Sequence, residues 1–482
     1  MGLYLGVDLG TQSLKVLVYD ATTRQVVARA SRPIPAPESP RPGAAEQNPA
    51  DWWNAFDAAL RSVLDDQAVQ PSRVRAIGVS GQQHGMVALD AAGEVLRPAK
   101  LWCDLEASQQ AMELSEKIGR NIPPGFTAPK LLWMKQNEPQ LFSAMHRLCL
   151  PHDWLNLCLS GNWLTDHGDA SGNGLYDSQL GQYDLNATTW LDSELADKLP
   201  PLQAYDNWHG TLLPELATQY GLPQDVRIAI GSGDNMMSAL GAGAWQEGSL
   251  VASLGTSGTL FGSSRKPLTG DDCDLSPFRD ATGGWLPLYC IQNCTTVTEE
   301  VSAGFGLSLE ELTSLAGEIE PGQAPLFLPY LTGERSPNWP HASGVLHRIR
   351  PGDLQAGKVF RAAIEGVSFA LFAGLKKMRA LGFNGKELRV VGGGAHNLFW
   401  CQLLADLFDT RVVRPKEADS AAFGAALQAC ATDGDDFHSV LDEHATTNKE
   451  AALEPDSGRG AIYRELAQES AELGQKLFAS AQ

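Results

Sequence analysis

Nothing in the chain frames a zinc site: it has no CxxC pair, no HExxH and no His-x-His. The eight cysteines are Cys103, Cys149, Cys158, Cys273, Cys290, Cys294, Cys401 and Cys430, and only Cys290 and Cys294 stand close together. With Leu288, Tyr289 and Ile291 around them, that pair reads as buried strand thiols. A reducing cytoplasm is the expected location. Positive charge is also scarce: 37 Lys and Arg stand against 57 Asp and Glu, a net charge of −20 at pH 7. Little field is left to attract phosphate backbones or anionic lipid, so no nucleic-acid and no membrane partner is expected. The excess acid reads as a solubility feature.

Long apolar runs are missing too. Leu3 to Asp8 enters a strand pattern directly, without a basic leader or a stretch long enough to span a bilayer. Met1-Gly2 opens like a myristoylation site, but Gly6 stands where Ser or Thr is required. The usual nucleotide fingerprints fail as well. No GxGxxG follows a strand, which removes the main support for a nicotinamide enzyme. Gly352 to Lys358 fits GxxxxGK, but Val359 lacks the metal-binding hydroxyl and the pattern continues as a helix through Glu365.

What is present is repetition. At about 100 to 200 residues per domain, a chain of this length holds at least two. Asp8-Leu9-Gly10-Thr11-Gln12-Ser13 and Ser253-Leu254-Gly255-Thr256-Ser257-Gly258-Thr259 both read as strand, Gly-Thr turn, strand. Ala76 to Gly81 matches Leu388 to Gly394, each a β-branched strand emptying into glycine. Gly233 to Ala242 matches Ala418 to Leu427, each a capped helix of small residues whose partners can approach closely. Three pairs in one order predict two related α/β domains, residues 1–244 and 245–482, with a boundary near Trp245 to Ser249 and a deep cleft between them. The long insert, from about Gln82 to Ile230, falls in the first half and is the natural place for a substrate domain.

The turns suggest phosphate chemistry. Tight glycine turns after strands expose backbone N–H groups, and glycine has no Cβ to block an anion. Gly10 and Thr11, with Gln12 beside them and Lys15 following, and Gly255 with Thr256, are the candidates. The run Gly392-Gly393-Gly394 lets a flat base lie against the backbone.

The halves differ at one position, where the first has Asp8 and the second Ser253. One carboxylate at a strand end suffices for Mg²⁺, which keeps several waters and takes phosphate oxygens as further ligands. Asp234 follows Gly231-Ser232-Gly233 and opens a helix; it reads either as an N-cap or as a base positioned near a hydroxyl. The insert adds Gln82-Gln83-His84, Trp102, Asp104 and Asn173, polar and aromatic groups suited to a sugar. His84 is equally readable as a structural histidine.

In this order the motifs resemble the FGGY carbohydrate kinases of the actin-like ATPase superfamily over essentially the whole chain. The resemblance rests on Asp8 to Ser13, GQQHG at 81–85, Leu101-Trp102-Cys103-Asp104, PGFTAPKLLW at 124–133, Asp169-Ala170-Ser171-Gly172, Gly233-Asp234-Asn235 and YLTGERSP at 330–337. It implies two duplicated RNase H-like domains, ATP with Mg²⁺, and transfer of the γ-phosphate to a sugar hydroxyl, with D-xylulose to D-xylulose 5-phosphate as the expected reaction. It implies Asp234 as base and Asp8 near the metal. Gln83 and His84, with Trp102, Asp104 and Asn235, would face the sugar. Gly255, Thr256, Gly393, Gly394 and Asn397 would surround the nucleotide. The sequence departs from the family pattern at Gln83, where several members have Met, and at Phe423, where a smaller or unbranched aliphatic residue is usual. Two alternatives stand beside this reading: a kinase for another ketose, an alditol or gluconate, and an actin-like nucleotide sensor or filament protein. A homodimer is the candidate assembly.

Overall fold

The computed structural model describes residues 2–270, 274–445, 447 and 451–479. Met1 and Cys273, weighed above, lie outside them. The chain forms two compact units: Met1–Gly243 with Phe278–Gly284 and Asp419–Thr446, and Ala244–Pro277 with Trp285–Ala418 and Thr447–Gln482.

The first unit is built on strands β1 (Leu3–Leu9), β2 (Ser13–Asp20), β3 (Gln25–Pro33), β4 (Val74–Gly81), β5 (Trp208–Thr211) and β6 (Arg227–Ala229), in the order β5-β6-β4-β1-β2-β3. β1, β2 and β3 are antiparallel, while β4 and β6 run parallel to β1. Leu3, Leu5, Val7, Val16, Val18, Ile77 and Val79 are fully buried. Such continuous apolar strands are what a sheet covered on both faces requires.

The second unit repeats the pattern. β7 (Ser249–Leu254), β8 (Gly258–Gly262), β9 (Trp285–Ile291), β10 (Glu387–Val391) and β11 (Val412–Val413) are ordered β9-β8-β7-β10-β11. β7, β8 and β9 are antiparallel, and β10 and β11 run parallel to β7. Three antiparallel strands followed by two parallel ones thus occur twice, so the duplication read from the Gly-Thr turns is a duplication of sheets. The second core gathers Phe360, Leu371 and Leu375 of the Ala356–Ala380 helix with Trp400, Leu404 and Phe408 of the Leu398–Phe408 helix.

The division of the chain differs from a single cut at 244/245, since Phe278–Gly284 and Asp419–Thr446 belong to the first unit. The Ser420–Thr432 helix packs within the first unit, against the Asp234–Gly241 helix and β1. Its small residues are the cause. A Cβ on Gly424 would collide with the Met237 carbonyl, one on Gly241 with the Ser420 carbonyl, and one on Gly6 with the Ala422 carbonyl. Backbones in such contact leave room only for hydrogen. No helix among the described residues is long and apolar enough to cross a membrane.

Candidate active site

In the first unit three turns leave the carboxyl ends of neighbouring strands, the edge where open α/β sheets bind ligands. The β1–β4 register pairs Asp8 with Ser80 and Leu9 with Gly81, and Ser232 and Gly233 pair in turn with Ser80 and Gly81. The register therefore sets Asp8 and the Gly10–Gln12 turn, the Gln82–His84 turn and Asp234 side by side.

Asp8 is half-buried and accepts a hydrogen bond from Ser80 Oγ at 3.1 Å. Burial pushes its carboxyl above the ordinary carboxylate range, although Lys15 and Ser80 pull it back. Lys15 lies opposite Asp8 in the β1–β2 register, and its ammonium bonds Asp419 at 2.8 Å. In the Gly10–Gln12 turn, Gly10 N–H bonds Ser13 O at 3.1 Å. The Thr11 hydroxyl donates to Gln82 Oε1 at 2.9 Å and accepts from Trp102 Nε1 at 3.0 Å, so it ties the turn to the insert. Gln12 is exposed.

Asp234 begins its helix directly after Gly233 and is half-buried. Burial, then the negative charges of Asp8 and Asp169, push its pKa up to about 7. A carboxylate so tuned takes a proton readily near neutral pH. Asn235 Nδ2 bonds Asp234 Oδ1 at 2.9 Å and Gln83 Oε1 at 2.8 Å. Gln83 is only 4% exposed, and its Nε2 is a buried donor without a partner. Buried donors are rarely left unmet, which makes this one a candidate ligand contact.

His84 has φ of 63°, the left-handed region that non-glycine residues seldom enter. Its carbonyl accepts Thr127 Oγ1 at 3.1 Å and Lys130 Nζ at 2.8 Å, and its ring lies 4.7 Å from Phe126 and 5.4 Å from Phe278. Gly172 lies against that ring with no room for a Cβ.

Asp104 departs from the expected sugar contact. It is 0% exposed, with Oδ2 bonded to Ala45 N–H at 2.9 Å and to Lys100 at 3.1 Å. Lys100 stands also 3.2 Å from Glu46 and 2.5 Å from Glu106, over the Trp133 ring. The cation among these carboxylates is thus a lysine, and Asp104 is a buried partner in its ion cluster.

In the second unit, β7 pairs with β10 so that Ser253 faces Val391, which sets the Gly255–Ser257 turn beside Gly392–Gly394. The first turn is held to the start of the Thr295–Phe305 helix by Thr295 N–H to Gly255 O at 2.9 Å and Cys294 N–H to Thr256 O at 3.1 Å. Thr256 is exposed. Gly392 has φ of 83°, Gly394 abuts Leu254, and Gly393 has open space where a Cβ would be. Asn397 caps the Leu398–Phe408 helix at Trp400 N–H and donates to Thr313 Oγ1 at 2.9 Å. Its amide thereby fixes the end of the glycine turn.

Several residues of this constellation escaped sequence reasoning. Asp169, a determinant of the Asp234 pKa, was visible only as part of a motif, and Asp419 only as a helix cap. Glu334, 3% exposed, accepts N–H groups from Gln292 at 2.6 Å and Arg335 at 2.7 Å and so shapes the YLTGERSP segment.

Residues 3–241 match the N-terminal domain of the FGGY family of carbohydrate kinases, and residues 250–432 match its C-terminal domain. A xylulose kinase of Haemophilus influenzae is 35% identical over 453 residues, 90% of this chain and 91% of the relative. One from Streptomyces coelicolor is 37% identical over 444 residues, covering 89% and 87%. The crystal structure of a xyloylose kinase from Brucella ovis superposes with a TM-score of 0.91 at 31% identity, covering 98% of this chain and 99% of that one. The chain belongs to the FGGY family of carbohydrate kinases.

Proposed function

We propose that the chain transfers the γ-phosphate of ATP to D-xylulose, giving D-xylulose 5-phosphate, with Asp234 as the general base. The observation that carries this reading is the Asp234, Asn235 and Gln83 constellation. A carboxylate with its pKa raised to about 7 stands bonded to an amide that also orients a buried, unpartnered donor. Among the described residues that donor has no acceptor, and a sugar oxygen would satisfy it. His84 and Trp102 complete the sugar side.

For the nucleotide, the second unit offers the exposed Thr256 of the Gly255–Ser257 turn and an unobstructed backbone surface at Gly393. Asp8 fits a magnesium ion: it is a hard oxygen donor at a strand end, and its repulsion with Asp234 favours a cation alongside. Such an ion, bound with ATP, neutralises charge on the phosphate oxygens. Asp234 takes the hydroxyl proton as the oxygen attacks. Asn235 keeps that carboxylate oriented, and Lys15 opposes the negative charge at Asp8.

The substrate names of the relatives support D-xylulose over other sugars. A coupled ADP-release assay with D-xylulose, L-ribulose, glycerol and gluconate tests it. Highest kcat/KM with D-xylulose is expected. Preference for another member of the set transfers the reading to that sugar, and turnover independent of any sugar refutes it in favour of a nucleotide sensor.

A further inference from the structure

Beneath the sugar-facing turns lies a buried group of titratable side chains centred on His152, which takes no direct part in the proposed transfer. His152 is 0% exposed. Its Nδ1 stands 2.8 Å from Asp169 Oδ2, and its Nε2 stands 3.0 Å from Asp153 and 3.6 Å from Asp166. Asp153 and Asp166 are each 1% exposed and Asp169 is 0% exposed. A buried ring ringed by carboxylates is costly to build, so its contacts with the surroundings matter.

Those contacts run to both turns. Asp169 accepts the backbone N–H of His84, the residue held at φ of 63°. Asp166 Oδ2 accepts Ser232 Oγ at 2.6 Å, two residues before Asp234. Gly81 and Gly231, which open the two turns, both press on His152: a Cβ on Gly81 would stand 2.8 Å from its backbone nitrogen, and one on Gly231 3.0 Å from its ring. The imidazole therefore touches, directly or through one carboxylate, the chain on either side of the sugar-facing groups.

We propose that His152 is a positioning residue that holds His84 in its left-handed conformation through Asp169, and so sets sugar affinity without touching the sugar. The chain around His84 supports this. Thr127 and Lys130 fix its carbonyl from one side, and Asp169 fixes its N–H from the other. Residues in sparsely populated backbone regions persist only where neighbours over-determine them. Removing the ring's grip on Asp169 frees that carboxylate to turn and releases the His84 amide. The ring's environment agrees with a permanent donor. Burial opposes its charge, yet Asp153, Asp169 and Asp166 push its pKa up to about 9, which favours a proton on Nδ1 toward Asp169.

The proposal rests on His84 as a sugar contact, and the test separates the two. Asn places an amide near the position of Nδ1, whereas Gln places one near Nε2. His152→Gln therefore loses the bond to Asp169 and His152→Asn keeps it. With the sugar that the wild-type enzyme turns over, His152→Gln is expected to raise the sugar KM about tenfold or more while the ATP KM stays within about twofold. His152→Asn is expected to restore most of that loss. Asp169→Asn, which keeps an oxygen for the His84 amide but weakens the pairing, should show the same split to a smaller degree. Equal changes in both KM values, no recovery with Asn, or a His152→Gln chain that does not fold would each overturn the proposal. If His84→Ala also leaves the sugar KM unchanged, the failed premise is the His84 contact; if His84→Ala raises it and His152→Gln does not, the positioning role alone fails.

Discussion

Asn235 donates its side-chain amide to Gln83 Oε1 at 2.8 Å, so a residue beside the candidate base fixes the orientation of a residue on the neighbouring turn. With Oε1 taken, the Gln83 amide nitrogen can point only one way. Among the described residues no acceptor meets it there.

Gln83→Leu removes the donor while keeping most of the side-chain volume. A ligand oxygen left unmet in a buried site costs about 1–3 kcal/mol, or about 5- to 150-fold in KM. The expected result is a rise of that size in the sugar KM with an unchanged ATP KM, read by steady-state kinetics with each substrate varied in turn.

His84→Ala should act in the same direction, since the ring stands against Phe126 and Phe278 at the insert. The sugar KM is expected to rise more than the ATP KM. Equal effects, or a protein with a lowered unfolding midpoint and no kinetic split, would assign His84 to structure alone.

The pH profile follows from Asp234. Burial and the charges of Asp8 and Asp169 raise its pKa to about 7, so the base form is lost as pH falls through that value. kcat/KM for the sugar is expected to decline about tenfold per pH unit below roughly pH 7 and to be flat just above it. An acid limb near pH 4 would mean an ordinary carboxylate.

Helix contact makes a stability prediction. Gly424 meets the Met237 carbonyl where a Cβ would be, whereas Gly304, in the Thr295–Phe305 helix, meets nothing. Gly424→Val is expected to destabilise by about 1–3 kcal/mol or more. Gly304→Ala should be neutral or stabilising by up to about 1 kcal/mol. Urea unfolding midpoints of the two variants against wild type decide it.

Much of this was legible in the sequence, for reasons that can be named. The duplication showed because β1 and β7 both end in Gly-Thr turns and β4 and β10 both end in glycine, a local signal that spacing preserves. The site at the strand ends showed because Asp8 lies near the end of an apolar strand and Gln83 and Asp234 follow one. What escaped depends on contacts distant in the chain. Asp104 looked available until Lys100 was found beneath it, because nothing in a sequence tells a buried carboxylate from an exposed one. The packing of the Ser420–Thr432 helix within the first unit depends on Gly241 and Gly424 meeting face to face. The His152 group draws on positions 152, 153, 166 and 169, whose spacing matches no simple motif.

The central claim is that Asp234 takes the proton from the sugar hydroxyl, and Asp234→Asn tests it most directly. The substitution keeps the shape of the side chain and removes its basicity. At saturating D-xylulose and ATP, turnover is expected to fall by roughly 10² to 10⁴, the usual contribution of a general base, while ATP binding and the unfolding midpoint stay near wild type. A variant that keeps more than about a third of wild-type turnover would contradict the assignment.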